Sequence, residues 1–450
     1  MTDARPFGLA DVVLFLAVLL AAAGARAGYL VACDDRGRAA APVRVQGEAA
    51  ERDSLVAGLR DRGTFATRAP FADAEEETAH VAPGYPWLLG LLARLPVDQA
   101  ATARWIQCGL GALTAGLYFL FARRAFRSRL VATLAGFACA AYPFWVVNTA
   151  ELSDGVLATF LLAACLFLGA RAGGVGGSFT SLLYGLALAG AALVRAALLP
   201  FAFIGLLWFL LRARTMPRGW LLALLAFLGF ANGLAPWLLH NVQVQHDVVP
   251  VVDSAYLHLW MGNNPQATGG PMDEPAMLKA LAEQRGETPE EAARRLAELP
   301  QRRRYASLAG AVVEEVRSDP AATVRRRLRA GLYFVFGERW FQNGELWVLN
   351  QPPEAGTPLA AVPVTLTASL LALLVLGVLG WRWTYGWRVA SMPAALAVIW
   401  VPLPYLLSHA ELLQGPRLPL DGVFLCYAAF SAAYLLTAGR LGRGERAGPR

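Results

Sequence analysis

The sequence has 450 residues, of which 56% are hydrophobic, and its mean hydropathy is +0.43, so it is not an ordinary soluble domain and is predicted to be an integral membrane protein. The formal net charge of +7 comes almost wholly from arginine, since Lys279 is the only lysine. In a membrane protein this excess mainly sets orientation, and it predicts no nucleic-acid partner.

Ten apolar runs predict membrane-spanning helices. The first covers about 8–32 and has a cleaved signal peptide as its alternative, because AGARA at 23–27 resembles a cleavage site. A retained span is favoured because the apolar stretch is long and only Arg5 precedes it. The helix count around 178–211 stays open. The other runs lie near 101–122, 130–147, 152–170, 178–194, 197–211, 219–240, 360–381, 389–408 and 420–437.

The arginines are concentrated in alternate short loops between the spans. They are frequent in every second loop and in the C-terminal tail, whereas the outer loop 148–151 has none and 409–419 has only Arg417. This pattern predicts that both termini are cytoplasmic. The cytoplasmic positions are Arg123, Arg124, Arg127, Arg129, Arg171, Arg212, Arg214, Arg218, Arg382, Arg388, Arg440, Arg443, Arg446 and Arg450.

The expected fold is an all-α polytopic membrane protein of about ten spans, with a long first outer loop and a small helical outer cap. Residues 1–240 form an N-terminal transmembrane region that includes the outer loop 33–100. Residues 241–359 form an extracytoplasmic helical segment. Residues 360–450 supply the last spans and the basic tail.

The first outer segment holds two features that suit chemistry. Glu48–Arg62 has the pattern of a short amphipathic helix. Downstream, the acidic run 73–77 is followed by His80 and then by Pro83-Gly-Tyr-Pro86, which predicts a rigid turn and not a helix. Trp87–Leu95 is too short to span a bilayer and predicts a helix that lies on or dips into the membrane. The acids and the imidazole then suit proton transfer at the membrane face, or they are simply a solvated acidic loop.

The second outer segment is predicted to be a small cap of helices near 275–299, 301–318 and 321–336. Pro236 is expected to kink or end the preceding span, and Trp237 suits the headgroup belt. His240 and Asn241 would then emerge on the outer side. Cationic candidates for anion binding have alternatives in snorkelling, headgroup contact or interface anchoring. These candidates are Arg195, His240, the arginines of 302–304 and 325–329, Arg339 and Arg417.

Several motifs of nucleotide-using or hydrolytic enzymes are missing. The sequence has no Walker A loop, no GxGxxG, no HExxH and no GxSxG. An enzyme site on the outer face has no access to nucleotide sugars, so an activated group would have to arrive on a lipid carrier. The five cysteines show no CxxC and no paired spacing, which predicts neither a disulfide framework nor a structural zinc site.

Five local patterns, in order, resemble the GT-C superfamily of integral-membrane glycosyltransferases, and especially its ArnT-like and protein-mannosyltransferase-like branch with the RgtA/B/C/D-like domain. The resemblance covers about residues 8–440. The patterns are Gly47-Glu48-Ala-Ala-Glu51 with Leu55-Val-Ala-Gly-Leu59 and Gly63-Thr-Phe65; His80-Val-Ala-Pro83-Gly-Tyr85-Pro86; Pro236-Trp237-Leu-Leu-His240-Asn241; Gly262-Asn263-Asn264-Pro265; and Arg417-Leu-Pro419-Leu.

The resemblance implies transfer of a sugar from a polyprenyl-phosphate-linked donor to an extracytoplasmic lipid, polysaccharide or protein, with inversion. Glu48 stands where the family has its aspartate base. Glu151 and Asp154 are candidates for a second acidic position, and His240 replaces the family's arginine. Some branches use a divalent metal, but no clear ligand set appears and none is predicted. The implied catalytic residues are Glu48, Glu51, Glu77 and His80, and the implied substrate-binding residues are Tyr85, Arg195, His240, Asn241, Asn263, Arg339 and Arg417.

Two other classes of function fit the same sequence. A transporter or lipid flippase would also be polytopic, but it is expected to show two similar halves and broken mid-membrane helices, and neither is clear here. A degenerate homologue with a structural role would explain the departures at Glu48 and His240. The position of polar residues separates enzyme from transporter, since an enzyme of this class gathers them at the outer face.

Overall fold

The chain is helical almost throughout in its computed structural model, which describes residues 7–36, 43–172, 177–336, 375, 388–410 and 415–444. Seven described helices are long and apolar enough to cross a membrane. The predicted all-α polytopic membrane fold is therefore confirmed. The seven apolar stretches are Leu9–Val31, Gln99–Phe126, Gly155–Ala172, Ala196–Ala213, Gly219–Gln245, Ala390–Leu407 and Leu418–Thr437.

The membrane-domain helices follow the predicted runs closely, except that the run 360–381 lies outside the described residues. Two shorter apolar helices, α5 and α8, accompany the seven long ones. The run 130–147 is two helices, because Tyr142 is extended and Pro143 starts a new helix. The helices are α1 (Leu9–Arg36), α4 (Gln99–Phe126), α5 (Arg129–Ala141), α6 (Pro143–Asn148), α7 (Gly155–Ala172), α8 (Ser178–Val194), α9 (Leu199–Ala213), α10 (Gly219–Gln245), α17 (Arg388–Trp400), α18 (Leu403–Leu407) and α19 (Leu418–Gly444).

The outer elements pack as one layer. A buried apolar cluster joins Phe71 of the first outer segment to Trp260, Leu281 and Tyr305 of the second. The first segment also forms a two-stranded antiparallel ladder in which Ala66 pairs with Glu77. The outer elements are α2 (Val43–Asp61), β1 (Ala66–Thr67), β2 (Glu76–Glu77), α3 (Gly84–Leu92), α11 (Ala255–Met261), α12 (Glu274–Arg285), α13 (Pro289–Ala297), α14 (Gln301–Ala306), α15 (Ala309–Ser318) and α16 (Pro320–Phe336).

The predicted rigid turn at Pro83–Pro86 is wrong, because this stretch is the start of helix α3. Pro83 has helical φ and ψ, and its carbonyl accepts from the Trp87 N–H at 2.9 Å. Pro86 is tolerated because it lies in the first turn, where an N–H has no partner within the helix. A Cβ on Gly84 would lie 2.6 Å from Val194 Cγ2, so α3 packs closely against the end of α8.

Pro236 does not end its span, since α10 runs through it to Gln245, and the alternative expectation of a kink at this position stays a prediction. Two side chains beyond the proline hold the helix to the chain that follows. Trp237 Nε1 donates to the Val251 carbonyl at 2.6 Å, and Asn241 Nδ2 donates to the Val249 carbonyl at 2.8 Å. Trp237 is fully buried, so it does not belong to a headgroup belt.

The cap has more breaks than the sequence predicts. The helix expected over 275–299 is divided at Gly286, which ends α12 at φ +70°. Thr288 and Glu291 then form a capping box that starts α13. The helix expected over 301–318 is likewise divided into α14 and α15.

Glycines let α8 and α10 approach each other within the membrane domain. A Cβ on Gly185 would lie 2.0 Å from the Ala226 carbonyl oxygen, and one on Gly229 would lie 2.2 Å from the Leu182 carbonyl oxygen. In a bilayer, helices associate through this kind of close backbone packing.

A methyl group at Gly229 is expected to destabilise the protein. Gly229→Ala would force α8 and α10 apart, and overpacking of this kind costs about 1–3 kcal/mol. Thermal unfolding of the detergent-solubilised variant would show a lower midpoint. The matched control is Gly24→Ala in α1, where a Cβ meets no atom within 4 Å. Equal midpoints for the two variants would contradict the prediction.

Candidate active site

Glu51 and His80 form a contact between the two halves of the first outer segment. His80 Nε2 contacts Glu51 Oε1. The His80 side chain is 7% exposed and the Glu51 side chain 33%, so the carboxylate borders solvent while the imidazole lies behind it. Glu51 is placed by α2, and His80 follows β2. The sequence singled out both residues as candidates without indicating that they touch, and their catalytic role stays a prediction.

Thr78 sets the orientation of the His80 ring. Its Oγ1 lies 2.6 Å from His80 Nδ1 and accepts from the Gln301 side-chain amide at 2.8 Å and from the His80 backbone N–H at 3.1 Å. The Thr78 hydroxyl hydrogen is therefore directed to Nδ1. Neutral His80 then carries its proton on Nε2, which faces Glu51, so histidine donates to the carboxylate.

Asp253 extends this network into the second outer segment. Its Oδ1 accepts from Gln301 Nε2 at 3.1 Å, and its backbone N–H donates to the Ala79 carbonyl at 3.1 Å. The next residue, Ser254, donates through Oγ to the His80 carbonyl at 2.8 Å. Burial raises the pKa of Asp253 from 3.8 to about 6, against an opposing effect of His80.

Two more imidazoles lie on the cap side of this network. His258 Nδ1 of α11 and His409 Nε2, which follows α18, are 3.1 Å apart. Burial lowers the pKa of His258 to about 4, with a further lowering by His80 and an opposing effect of Glu51. His258 is therefore neutral at pH 7, and the pair shares one hydrogen bond.

Arg195 lies at the break between α8 and the short 3-10 turn before α9, where its backbone is extended. Its Nε and Nη2 donate to the two carboxylate oxygens of Asp154 at 2.7 and 2.5 Å, and its Nη1 donates to the Gly415 carbonyl at 2.8 Å. The Arg195 side chain is 13% exposed. Arg52, next to Glu51, donates to the Leu152 carbonyl at 2.6 Å, which ties α2 to the loop that carries Asp154.

Arg417 is buried in an ion pair. Its Nε lies 2.7 Å from Asp421 Oδ1, and both side chains are at most 1% exposed. Tyr142 donates through its hydroxyl to Asp421 Oδ2 at 2.8 Å. Trp145 Nε1 donates to the Leu418 carbonyl at 3.0 Å. The predicted substrate-binding arginine therefore fastens the start of α19 to α5 and α6.

Four other predicted substrate-binding residues make internal contacts. Tyr85 donates to Gln107 Oε1 at 2.8 Å, and Asn263 Nδ2 donates to the Leu259 and Leu407 carbonyls. Asn241 holds the chain after α10, as described above. The half-buried His240 ring stacks on Trp237 with 5.0 Å between centroids. Such contacts position the outer loops around the site.

The remaining predicted residues fall into two groups. Glu77 is exposed on β2, and its carbonyl accepts from Gln245 Nε2 at 2.8 Å, while the neighbouring Glu76 is paired with Arg304 at 2.7 Å. Glu48 lies in α2, but its side chain is outside the described residues, as is Arg339 altogether.

The described part of the chain places no group of three or more His, Cys, Asp or Glu side chains where they could hold a metal ion. A surface groove of about 690 Å³ runs along α15 between Ala309 and Ser318 and contains none of the residues discussed above.

Sequence reasoning missed Thr78, Asp253, Gln301 and His409. Each is an isolated polar residue, and no motif or spacing marks it. Asp253 and Gln301 reach Thr78 and His80 only because the second outer segment folds back over the first, and His409 reaches His258 from the chain after α18. A buried carboxylate beside a histidine is a signal of a functional site that only the packed structure provides.

No protein-family profile matches this chain, and no curated protein matches it in sequence. Solved structures do match it. The archaeal oligosaccharyltransferase AglB from Archaeoglobus fulgidus, in complex with an inhibitory peptide and a dolichol-phosphate, aligns over 98% of this chain and 52% of its own, with 12% identity and a TM-score of 0.53. The apo form of the Archaeoglobus fulgidus oligosaccharyltransferase aligns over 97% and 52%, with 12% identity and a TM-score of 0.54.

ArnT from Cupriavidus metallidurans bound to undecaprenyl phosphate also matches, over 94% of this chain and 77% of its own, with 12% identity and a TM-score of 0.37. The chain spans about half the length of the archaeal oligosaccharyltransferase structures. At these identities the likeness concerns the fold. The chain shares the membrane fold of these oligosaccharyltransferase structures.

Proposed function

We propose that this protein is a membrane glycosyltransferase that moves a sugar from a polyprenyl-phosphate-linked donor to an acceptor nucleophile on the outer side of a bacterial inner membrane. The observation that carries the proposal is the Glu51–His80 contact, which presents a partly exposed carboxylate at the membrane face. The fold supports it, because the similar AglB structure contains a dolichol-phosphate.

Glu51 is the proposed general base. The acceptor oxygen attacks the anomeric carbon of the donor sugar and forms the new glycosidic bond, while the bond from that carbon to the phosphate oxygen breaks. Glu51 takes the acceptor proton, and the electron pair of the broken bond leaves on the lipid phosphate. One displacement of this kind inverts the anomeric centre.

His80 is a positioning residue in this mechanism. Its Nε2–H donates to one oxygen of Glu51, so the carboxylate is held with its other oxygen toward solvent. Thr78 and Gln301 keep the imidazole in that tautomer. A base held in place by buried hydrogen bonds needs no reorganisation when the acceptor arrives.

Arg195 is the proposed stabiliser of the leaving phosphate. Asp154 and the Gly415 carbonyl hold its guanidinium at the outer end of α8. A fixed guanidinium at a position where negative charge develops lowers the barrier for departure of the phosphate. Asp154 is thus a positioning residue, where the family resemblance had suggested a second acid.

The position of these groups favours an enzyme over a transporter. Glu51, His80, Asp253 and Arg195 all lie at the outer ends of the helices or in the outer segments. A transported substrate needs polar groups along a path through the membrane. Clustering at one face instead suits chemistry on a lipid headgroup.

Replacement of the proposed base is expected to abolish transfer. Glu51→Gln keeps the size of the side chain but cannot accept the proton, and loss of a general base costs about 10²–10⁴-fold in rate. Transfer from a fluorescent short-chain polyprenyl-phosphate sugar by purified protein would measure it, with thermal unfolding to verify folding. The matched control, Glu75→Gln, changes an exposed carboxylate of the same segment and should keep full activity.

A parallel Glu48→Gln variant separates two assignments of the base. If Glu48→Gln loses transfer while Glu51→Gln retains it, the base is one turn earlier on α2 and the assignment to Glu51 is wrong. If wild-type protein neither transfers sugar nor binds any polyprenyl phosphate, the proposed function itself is overturned.

Asp253 predicts a pH dependence of folding stability. Its folded pKa of about 6 lies above the ordinary 3.8, so between these pH values the folded state binds more protons than the unfolded state. Its contribution to stability is therefore lost as the pH rises through this window, by up to about 3 kcal/mol. Asp253→Asn removes this loss, so the midpoint of the variant should rise relative to wild type between pH 4 and 6.

Thermal unfolding at pH 4, 5, 6 and 7 tests this pH dependence. Asp98→Asn is the control, because Asp98 is an exposed cap of α4 whose side chain accepts from the Ala101 N–H, as asparagine also does. The midpoint difference between Asp253→Asn and wild type should change with pH, whereas that of Asp98→Asn should not. A constant difference for Asp253→Asn would refute the raised pKa.

A further inference from the structure

Arg26 is a fully buried cation in the spanning helix α1. Its Nη1 donates to the Ala22 carbonyl at 3.0 Å and to the Ala140 carbonyl at 3.1 Å. Its Nε and Nη2 are buried and have no hydrogen-bond partner among the residues that the structure describes. Within the same part of the chain, no carboxylate forms an ion pair with it.

A charge in this position is costly. A guanidinium remains protonated in proteins, and burying it without a counter-charge opposes folding strongly. Inside a membrane domain, charged side chains are normally paired or face an aqueous cavity. Backbone carbonyls at Nη1 satisfy hydrogen bonds but carry no full negative charge, so the cation still lacks a counter-ion.

A small cavity lies against the guanidinium. Its volume is about 10 Å³ for the centre of a water-sized sphere, which is close to the room that a single water molecule needs. A phosphate or sulfate ion is too large for this space, so the occupant is monatomic or a single water. The cavity is lined by Arg26, Gly111, Thr114, Trp145, Asn148, Val156 and Thr159.

The lining suits an anion. It contains the Arg26 guanidinium and the Asn148 amide, both donors, and no carboxylate. Thr114 and Thr159 add no donors, because their hydroxyl hydrogens are directed to the carbonyls of Leu110 and Gly155, at 2.8 and 2.6 Å, so Arg26 and Asn148 are the donors available to an anion. A water molecule would fill the space but leave the positive charge uncompensated.

Gly111 makes room for the guanidinium. A Cβ at this position would lie 2.3 Å from Arg26 Nε and 2.8 Å from Arg26 Cδ. Even alanine would therefore displace the side chain from the cavity. The cavity has walls from α1, α4, α6 and α7, so an ion within it would bridge these four helices.

We propose that this cavity is a chloride-binding site, in which the halide accepts hydrogen bonds from Arg26 and Asn148 and neutralises the buried cation. The site is separate from the proposed sugar transfer and does not depend on it. Chloride binds the folded state only, since the cavity exists only there, and so chloride raises the stability of the protein by mass action.

The test measures thermal unfolding of the purified full-length protein in detergent. Chloride is varied from about 1 to 300 mM against gluconate at constant ionic strength, and the wild-type midpoint is expected to rise by about 2–4 °C. Bromide should reproduce the rise. Arg26→Met and Gly111→Ala should abolish it, while the control Arg104→Met, which changes a half-buried arginine that binds the Ala150 carbonyl, should keep it.

Direct binding of radioactive chloride by equilibrium dialysis keeps the test decisive where Arg26→Met fails to fold. Wild type is expected to bind one chloride, and Gly111→Ala is expected to bind none. A wild-type midpoint that is the same in chloride and gluconate would overturn the proposal. So would a halide response in Gly111→Ala or Arg26→Met equal to that of wild type.

Discussion

The contact between Glu51 and His80 is the interaction around which the outer face is arranged. It joins α2 to the segment after β2, and Thr78 and Gln301 extend it to Asp253 in the second outer segment. Polar groups buried together must satisfy one another, since each unpartnered donor or acceptor opposes folding. This network therefore fixes the position of one outer segment relative to the other, and the Glu51 carboxylate remains partly exposed to solvent.

Arginine–carboxylate pairs perform the same task at the ends of the membrane helices. Asp154, just before α7, pairs with Arg195, which lies between α8 and α9. Asp421 pairs with Arg417 at the start of α19. The first pair is partly exposed, whereas the second is almost wholly buried and serves the packing of helices. Burial, and not residue type, separates the proposed functional arginine from the structural one.

Two prolines, Pro86 and Pro236, lie within helices of the structure. Pro86 predicts a turn and Pro236 predicts a kink or an end of its helix, yet α3 begins around the first and α10 continues past the second. In α3 the proline occupies a first-turn position where its missing N–H has no consequence. In α10, the hydrogen bonds of Trp237 and Asn241 to the following chain stabilise the extension. A local position in the first turn therefore accounts for Pro86, whereas contacts with the following chain account for the continuation of α10 beyond Pro236.

The sequence by itself determined the membrane class, most of the spans, the presence of a helix at α2 and the candidacy of Glu51, His80 and Arg195, because hydropathy and charge act over short stretches of chain. Only the tertiary structure decided which candidates meet. Asp253 and Gln301 are more than 170 residues away from His80 in sequence. The sequence around Arg417 likewise does not indicate that Arg417 and Asp421 form a buried ion pair. Burial and partnership are properties of packed neighbours, and no short-range pattern encodes them.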